Sequence, residues 1–178
     1  MEGARRNGLD WPPAAFQVAS WAMFLFFVSS FYALQLLYTE VVGRAVAGSL
    51  YGALALGAFV SAAVATAQDP ADRNIYDAEQ KWPPREVVPG HLYCYRCERH
   101  VCNTSKHCTL CKKCVDVFDH HCLWLSNCVG RHNYAAFLSL LVCLGCQLMA
   151  QVGYGVYVIV AFGTDVEGFD RRGACVGG

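Results

Sequence analysis

Three long stretches without a charged side chain most constrain how this chain can fold. No Asp, Glu, Lys or Arg occurs at residues 11–39, 45–68 or 132–164. A helix needs about 20 predominantly apolar residues to cross the hydrocarbon core of a bilayer, and each stretch is longer than that. The sequence therefore predicts three transmembrane helices, at about residues 15–38, 45–67 and 136–162.

The first stretch has an alternative interpretation as a signal peptide, because Arg5 and Arg6 precede it. A signal peptide has an apolar core of only about 7 to 15 residues. This stretch is longer and starts later, and the sequence LLYTEVVGR that ends it offers no clear small-residue cleavage site. A retained helix is the better interpretation.

The basic residues predict which ends of the helices face the cytosol. Nine of the fourteen Lys and Arg lie within residues 68–134, whereas the loop between the first two predicted helices has only Arg44. Cytosolic loops of membrane proteins are rich in Lys and Arg. We therefore expect the N-terminus and this central stretch in the cytosol, although Arg171 and Arg172 in the opposite tail argue mildly against it.

Cysteine and histidine are concentrated in the central stretch. All six histidines and eight of the eleven cysteines fall within residues 91–132. Disulfides are rare in the cytosol, so a metal site is a better interpretation than a disulfide framework or an ordinary core of buried thiols. Pairs such as Cys94-x2-Cys97 bring two thiolates within reach of one tetrahedral zinc ion. Between residues 93 and 114 the only aliphatic side chains are Val101 and Leu110, so metal binding would supply the folding free energy.

The number of candidate ligands exceeds what two zinc sites need. Two closed sites take eight ligands, and the stretch offers fourteen Cys and His side chains. Neighbouring side chains in extended backbone point apart, so one of His120 and His121 can be a ligand while the other faces elsewhere. Asp119 is placed to hydrogen-bond to the free histidine and fix its tautomer, with Cys122 as nucleophile.

Residues 94–137 resemble the cysteine-rich domain of the DHHC protein S-acyltransferases (palmitoyltransferases). The resemblance is carried by CYRC at 94–97 and HCTLCKKCVDVFDHHCLWLSNCVGRHNYAAF at 107–137. DPAD at 69–72 is similar to a short family motif that follows the second helix. Leu123 departs from the family pattern, which usually has proline after the DHHC cysteine.

The resemblance implies an α-helical integral membrane protein with a cytosolic, zinc-stapled DHHC domain between the second and third transmembrane helices. The expected segments are a cytosolic N-terminus (1–14), two transmembrane helices (15–67), a cytosolic linker with the DPAD motif (68–90), the zinc domain (91–135), the third helix (136–162) and a disordered tail (163–178). Family members have at least four such helices, so we expect a truncated isoform or a fragment.

Two structural zinc ions are implied by the same resemblance. One would be bound by Cys94, Cys97, His107 and Cys114, and the other by Cys108, Cys111, His121 and Cys128. These sets leave Asp119, His120 and Cys122 as the catalytic group.

The implied activity is the transfer of a fatty acyl group, most often palmitoyl, from acyl-CoA to cysteines of substrate proteins through an acyl-Cys122 intermediate. The expected partners are acyl-CoA, the lipid bilayer and proteins with membrane-proximal cytosolic cysteines. The expected location is the endoplasmic reticulum, the Golgi or the plasma membrane. Four basic residues are candidates for the CoA phosphates or, equally well, for a solvated face near anionic lipid: Lys106, Lys112, Lys113 and Arg131.

Two other function classes compete with the enzyme. A zinc-binding membrane adaptor without catalysis needs no combination of Asp119, His120 and Cys122, so their presence favours the acyltransferase. A zinc-finger nucleic-acid binder fits poorly, because the net charge is zero and no recognition helix is apparent. We therefore expect no nucleic-acid partner.

Overall fold

The computed structural model describes residues 3–77 and 88–164. Three helices are present in this part of the chain: α1 (Ala15–Tyr38), α2 (Val41–Ala67) and α3 (Tyr134–Thr164). Between α2 and α3 come a short 3-10 turn (Arg73–Tyr76) and six strands, which are β1 (His91–Cys94), β2 (Arg99–Cys102), β3 (Lys106–Cys108), β4 (Lys113–Val115), β5 (His120–Cys122) and β6 (Asn127–Val129). The predicted tail at 163–178 lies almost wholly outside the described residues.

All three helices are long and apolar enough to cross a membrane, as the sequence predicted. The candidate spans are Ala15–Gln35, Val41–Ala67 and Tyr134–Ala161. Helix α2 begins at Val41, ahead of the predicted residue 45. Arg44 is accommodated in the first turn because its Nε donates a hydrogen bond to the Thr39 carbonyl, at 2.5 Å.

The chain divides into two compact units. One comprises Trp21–Val60 and Ser139–Gly178, and therefore most of the three helices. Within it, Tyr51 Oη donates to Gln151 Oε1 at 3.0 Å, and Gln151 Nε2 donates to Ser30 Oγ at 3.0 Å. Such hydrogen bonds between helices satisfy polar side chains that have no water to bind in a bilayer. The rings of Phe31 and Tyr51 stack beside them, with centroids 3.7 Å apart.

The other unit comprises Met1–Ser20 and Ser61–Leu138, and it contains all six strands. The strands pair as three separate antiparallel hairpins, β1–β2, β3–β4 and β5–β6. The three hairpins follow one sequence period of 14 residues, which the sequence interpretation missed. Cys94, Cys108 and Cys122 are each 14 residues apart. Positive φ angles recur at the same spacing, with 53° at Glu98, 53° at Lys112 and 52° at Ser126.

The β5–β6 hairpin is tied to the C-terminal end of α2 by side-chain amides. Asn127 Nδ2 donates to the carbonyls of Ala65, Thr66 and Gln68, at 3.0, 3.2 and 2.9 Å. Asn133 Nδ2 donates to the Ala65 carbonyl as well, at 3.1 Å. The last carbonyls of a helix have no partner within the helix, and these amides are among the donors that satisfy them.

The DPAD segment connects α2 to the first two hairpins. Asp72 Oδ2 accepts hydrogen bonds from Cys102 N at 2.8 Å and from Ser105 Oγ at 2.7 Å. Burial by itself raises the pKa of the Asp72 carboxyl, but these bonds and one from Asn74 N hold that pKa below its ordinary value. The carboxylate therefore stays ionised and acts as an acceptor for the loop after β2.

We expect that Asn127→Asp destabilises the protein, because it removes the amide donor and places a carboxylate against three carbonyls. The cost in the free energy of unfolding is about 3 kcal/mol, since the carbonyls lose this amide donor and a charged acceptor faces them instead. The midpoint of thermal inactivation in detergent measures it. The matched control is Asn103→Asp, at an exposed position. Equal midpoints for the two variants would contradict the capping role.

Candidate metal clusters and nucleophile

The first cluster of metal-ligating side chains lies between the first two hairpins. Cys94 and Cys97 come from the turn of β1–β2, and His107 and Cys114 are cross-strand partners in β3–β4. Their ligand atoms lie within 4.8 Å of one another. His107 Nδ1 is 3.2 Å from Cys97 Sγ and 3.7 Å from Cys94 Sγ.

The second cluster repeats this arrangement one hairpin further along the chain. Cys108 and Cys111 come from the turn of β3–β4, and His121 and Cys128 are cross-strand partners in β5–β6. These ligand atoms also lie within 4.8 Å of one another. His121 Nδ1 is 3.3 Å from Cys111 Sγ and 3.5 Å from Cys128 Sγ.

Both clusters fit a tetrahedral metal ion. Zinc bonds of about 2.3 Å to sulfur and about 2.0 Å to nitrogen place the ligand atoms of a tetrahedron about 3.5–3.8 Å apart, which is close to the separations found here. The hydrogen bond between Cys97 and Cys114 lowers the pKa of Cys97 to about 5 and raises the pKa of Cys114. Ionisation of one thiol thus makes it harder for its neighbour to lose a proton, and a bound cation would allow all the thiols of the cluster to ionise.

The β3–β4 hairpin belongs to both clusters. It supplies its cross-strand pair, His107 and Cys114, to the first cluster and its turn cysteines, Cys108 and Cys111, to the second. The ligand sets are therefore interleaved along the chain, and they coincide with the two sets that the resemblance implied.

The thiol of Cys122 stands outside both clusters. Side chains alternate along a strand, so His120 and Cys122 lie on one face of β5 while His121 points to the other, toward the second cluster. Cys122 is 7% exposed. By the 14-residue period it corresponds to Cys94 and Cys108, but its partner position is Leu125 instead of a cysteine. The equal spacing of these cysteines was the signal in the sequence for this relation.

Asp119 and His120 precede Cys122 by three and two residues in the sequence, and their side chains are in contact. His120 Nδ1 is 3.2 Å from Asp119 Oδ2. A carboxylate only accepts hydrogen bonds, so this contact places the proton on Nδ1 and leaves Nε2 as the basic atom. The His120 ring also packs edge-to-face on Phe137, with centroids 5.2 Å apart. Half-exposed side chains at Asp119 and His120 keep the pair accessible to a ligand.

The four candidate phosphate-binding residues have different surroundings. Lys113 is 1% exposed, and its Nζ donates to Asp69 Oδ1 and to the Arg6 carbonyl, both at 2.5 Å. This contradicts the expectation for Lys113, because a buried ammonium group already paired with a carboxylate is not available to a phosphate. Arg131 Nε donates to Asp116 Oδ2 at 2.6 Å, with the arginine side chain 60% exposed. Lys106 and Lys112 are exposed.

Residues 88–171 match the family model described as DHHC palmitoyltransferase. The chain is 51% identical to "Probable protein S-acyltransferase 20" of Arabidopsis thaliana over 89 residues, which is 48% of this chain and 13% of that protein. It is 34% identical to "Palmitoyltransferase ZDHHC5" of Rattus norvegicus over 76 residues, which is 43% of this chain and 11% of that protein.

A third relative is "Palmitoyltransferase erf2" of Schizosaccharomyces pombe. The identity is 35% over 74 residues, which is 42% of this chain and 21% of that protein. The chain thus spans only 11% to 21% of the length of these three curated relatives. The region that matches the family model includes both clusters, Asp119, His120 and Cys122, so this part of the chain is similar to the DHHC palmitoyltransferases.

Proposed function

We propose that this protein is a protein S-acyltransferase that moves a fatty acyl group, most often palmitoyl, from acyl-CoA to substrate cysteines. The observation that carries the proposal is the position of Cys122, a thiol outside two complete ligand sets and three residues after the carboxylate that holds His120. A metal ligand needs no neighbouring base, whereas a nucleophilic thiol does.

In the first half-reaction, His120 Nε2 takes the proton from Cys122 Sγ. The thiolate attacks the carbonyl carbon of the acyl-CoA thioester, and the bond between that carbon and the CoA sulfur breaks. His120 returns its proton to the departing CoA thiolate. Asp119 keeps the imidazole in the required tautomer and stabilises its charged form.

In the second half-reaction, the thiolate of a substrate cysteine attacks the acyl-Cys122 thioester and Cys122 leaves as a thiolate. Each half exchanges one thioester for another, so no ATP is consumed. Lys106, Lys112 and Arg131 are the proposed contacts for the CoA phosphates, since their side chains are exposed and cationic. Lys113 is left out because it is buried.

Each of the two clusters would hold a zinc ion, which would cross-link the hairpins and neutralise the thiolates in a region with little apolar core. Cys94, Cys97, His107 and Cys114 would hold one ion, and Cys108, Cys111, His121 and Cys128 the other. Four protein ligands leave no open position, so the role is structural. The three apolar helices would span an endomembrane or plasma membrane, with the hairpins in the cytosol.

Membrane-proximal cysteines are the proposed substrates. Helix α2 is a candidate membrane span up to Ala67, and Asn127 binds the carbonyls at that end. Asn127 pairs with Cys122 across the β5–β6 hairpin. The nucleophile would therefore lie at the membrane face, within reach of cysteines held near the lipid surface.

We expect that Cys122→Ser abolishes self-acylation by an alkyne-tagged palmitoyl-CoA, because serine cannot carry the thioester intermediate. Hydroxylamine-labile label on the chain in membranes measures it. The matched control is Cys146→Ser, an exposed thiol of α3, which should keep the wild-type label. Label that persists in Cys122→Ser would mean passive acylation elsewhere, and an unlabelled wild type with two bound zinc ions would favour the adaptor.

Replacing His120 with Ala should slow the first half-reaction by about 10²–10⁴-fold, the usual contribution of a general base. Single-turnover acylation with rapid quench measures the rate. Asp119→Asn should also lower it, because the amide no longer fixes the tautomer of His120. A wild-type rate in His120→Ala at neutral pH would remove this histidine from the mechanism.

Zinc content should separate the ligands from the nucleophile. Cys111→Ser should reduce the bound zinc from two ions per chain to one or fewer, because a closed site with three ligands binds the ion more weakly. Cys122→Ser should retain both. Elemental analysis of the purified protein measures the ratio, and zinc loss in Cys122→Ser would place this thiol among the ligands.

A further inference from the structure

The turn that carries Cys122 lacks the second cysteine that joins each of the two preceding turns to a metal-ligating cluster. In the first two hairpins the second cysteine of the turn, Cys97 or Cys111, joins a metal-ligating cluster. The corresponding residue in the third hairpin is Leu125, a buried side chain without a donor atom for a metal. Metal binding at this turn would also require the Cys122 thiolate as a ligand, and so it would block the proposed nucleophile.

The start of α1 contacts this turn instead. Gln17 is 1% exposed, and its Nε2 donates to the carbonyl of Leu125 at 3.3 Å and to that of Gly8 at 2.9 Å. Ser20 Oγ lies one turn further along and donates to the Trp124 carbonyl at 3.2 Å. Two consecutive carbonyls of the turn after Cys122 are therefore held by side chains of one helix.

Gly8 lies against the same carbonyl. Its N–H donates to the Thr66 carbonyl at 2.8 Å, which fixes the segment to the end of α2. A Cβ built on Gly8 would be 2.1 Å from the Leu125 carbonyl oxygen and 2.7 Å from Thr66 Cγ2. No real side chain tolerates the first of these distances, so only glycine permits this approach of the two backbones.

We propose that Gln17 and Gly8 position the Cys122 turn in place of a metal ion, and that they thereby control acylation without touching the substrate. The inference rests on the proposed acyltransferase function. The amide of Gln17 joins Gly8 and Leu125, so the N-terminal segment, the end of α2 and the turn form one hydrogen-bonded group. An uncharged amide donor holds the backbone and leaves the Cys122 sulfur free.

The test compares Gln17→Leu with Gln35→Leu. Both glutamines are buried in α1, at 1% and 2% exposure, but only Gln17 contacts the turn. Single-turnover acylation with alkyne-tagged palmitoyl-CoA gives a maximal rate and a half-saturating concentration for each. We expect Gln17→Leu to lower the maximal rate about 10–100-fold, the effect of a small displacement of a reacting group. The half-saturating concentration and the two zinc ions per chain should not change.

A second readout does not depend on acyltransferase activity. Alkylation of Cys122 by iodoacetamide, followed by peptide mass spectrometry, should be several-fold faster in Gln17→Leu, because the released turn exposes a thiol that is 7% exposed in the folded protein. Gly8→Ala should produce the same increase through its clash with Leu125. Gln35→Leu should match the wild type in both assays.

Three outcomes would overturn the inference. These are unchanged acylation and alkylation in Gln17→Leu and Gly8→Ala, an equal effect of Gln35→Leu, and loss of zinc in step with activity, which would indicate general unfolding. If the wild type itself shows no acylation, the proposed function fails. The alkylation rates would then still show whether Gln17 and Gly8 hold the turn.

Discussion

The carbonyls at the end of α2 determine where the rest of the cysteine-rich unit lies. They have no partners within the helix, so their donors must come from other parts of the chain. Asn127 at the start of β6 and Asn133 just ahead of α3 both donate to them, so the last hairpin and the start of α3 meet at one helix end. The sequence around Cys122 is therefore held at the end of a candidate membrane span.

The three hairpins share one backbone structure, but only the first two contribute turn cysteines to a cluster. Each has a strand, a turn with one left-handed residue and a second strand, and the buried valines at 101, 115 and 129 keep the same spacing of 14 residues. In the first two, the turn thiols enter a cluster with the next hairpin. In the third, Leu125 replaces the second thiol and Cys122 stays outside both clusters. The proposed nucleophile thus occupies a position that in the other two hairpins belongs to a candidate ligand set.

Much of this arrangement could be predicted from the sequence, because charge-free runs and cysteine spacing are local patterns. The three apolar helices follow from length, and alternation indicates that His120 and His121 face different ways, whereas the assignment of their roles needed the family resemblance. The burial of Lys113 could not be predicted, since nothing in the local sequence shows that its ammonium group donates a hydrogen bond to Asp69, 44 residues earlier. The contact between Gln17 and Leu125 joins residues 108 positions apart, and a single glutamine in an apolar run gives no sign of its partner.

The shared β3–β4 hairpin links the two clusters to one another. Its thiols and imidazole belong to both clusters, so damage to this hairpin would also affect the first and the third hairpins. A single oxidised thiol there, such as a sulfenic acid at Cys111, would loosen the hairpin that carries the proposed nucleophile although Cys122 itself is untouched. Oxidative damage would then act on this unit as a whole, through the sulfurs of its two clusters rather than through Cys122.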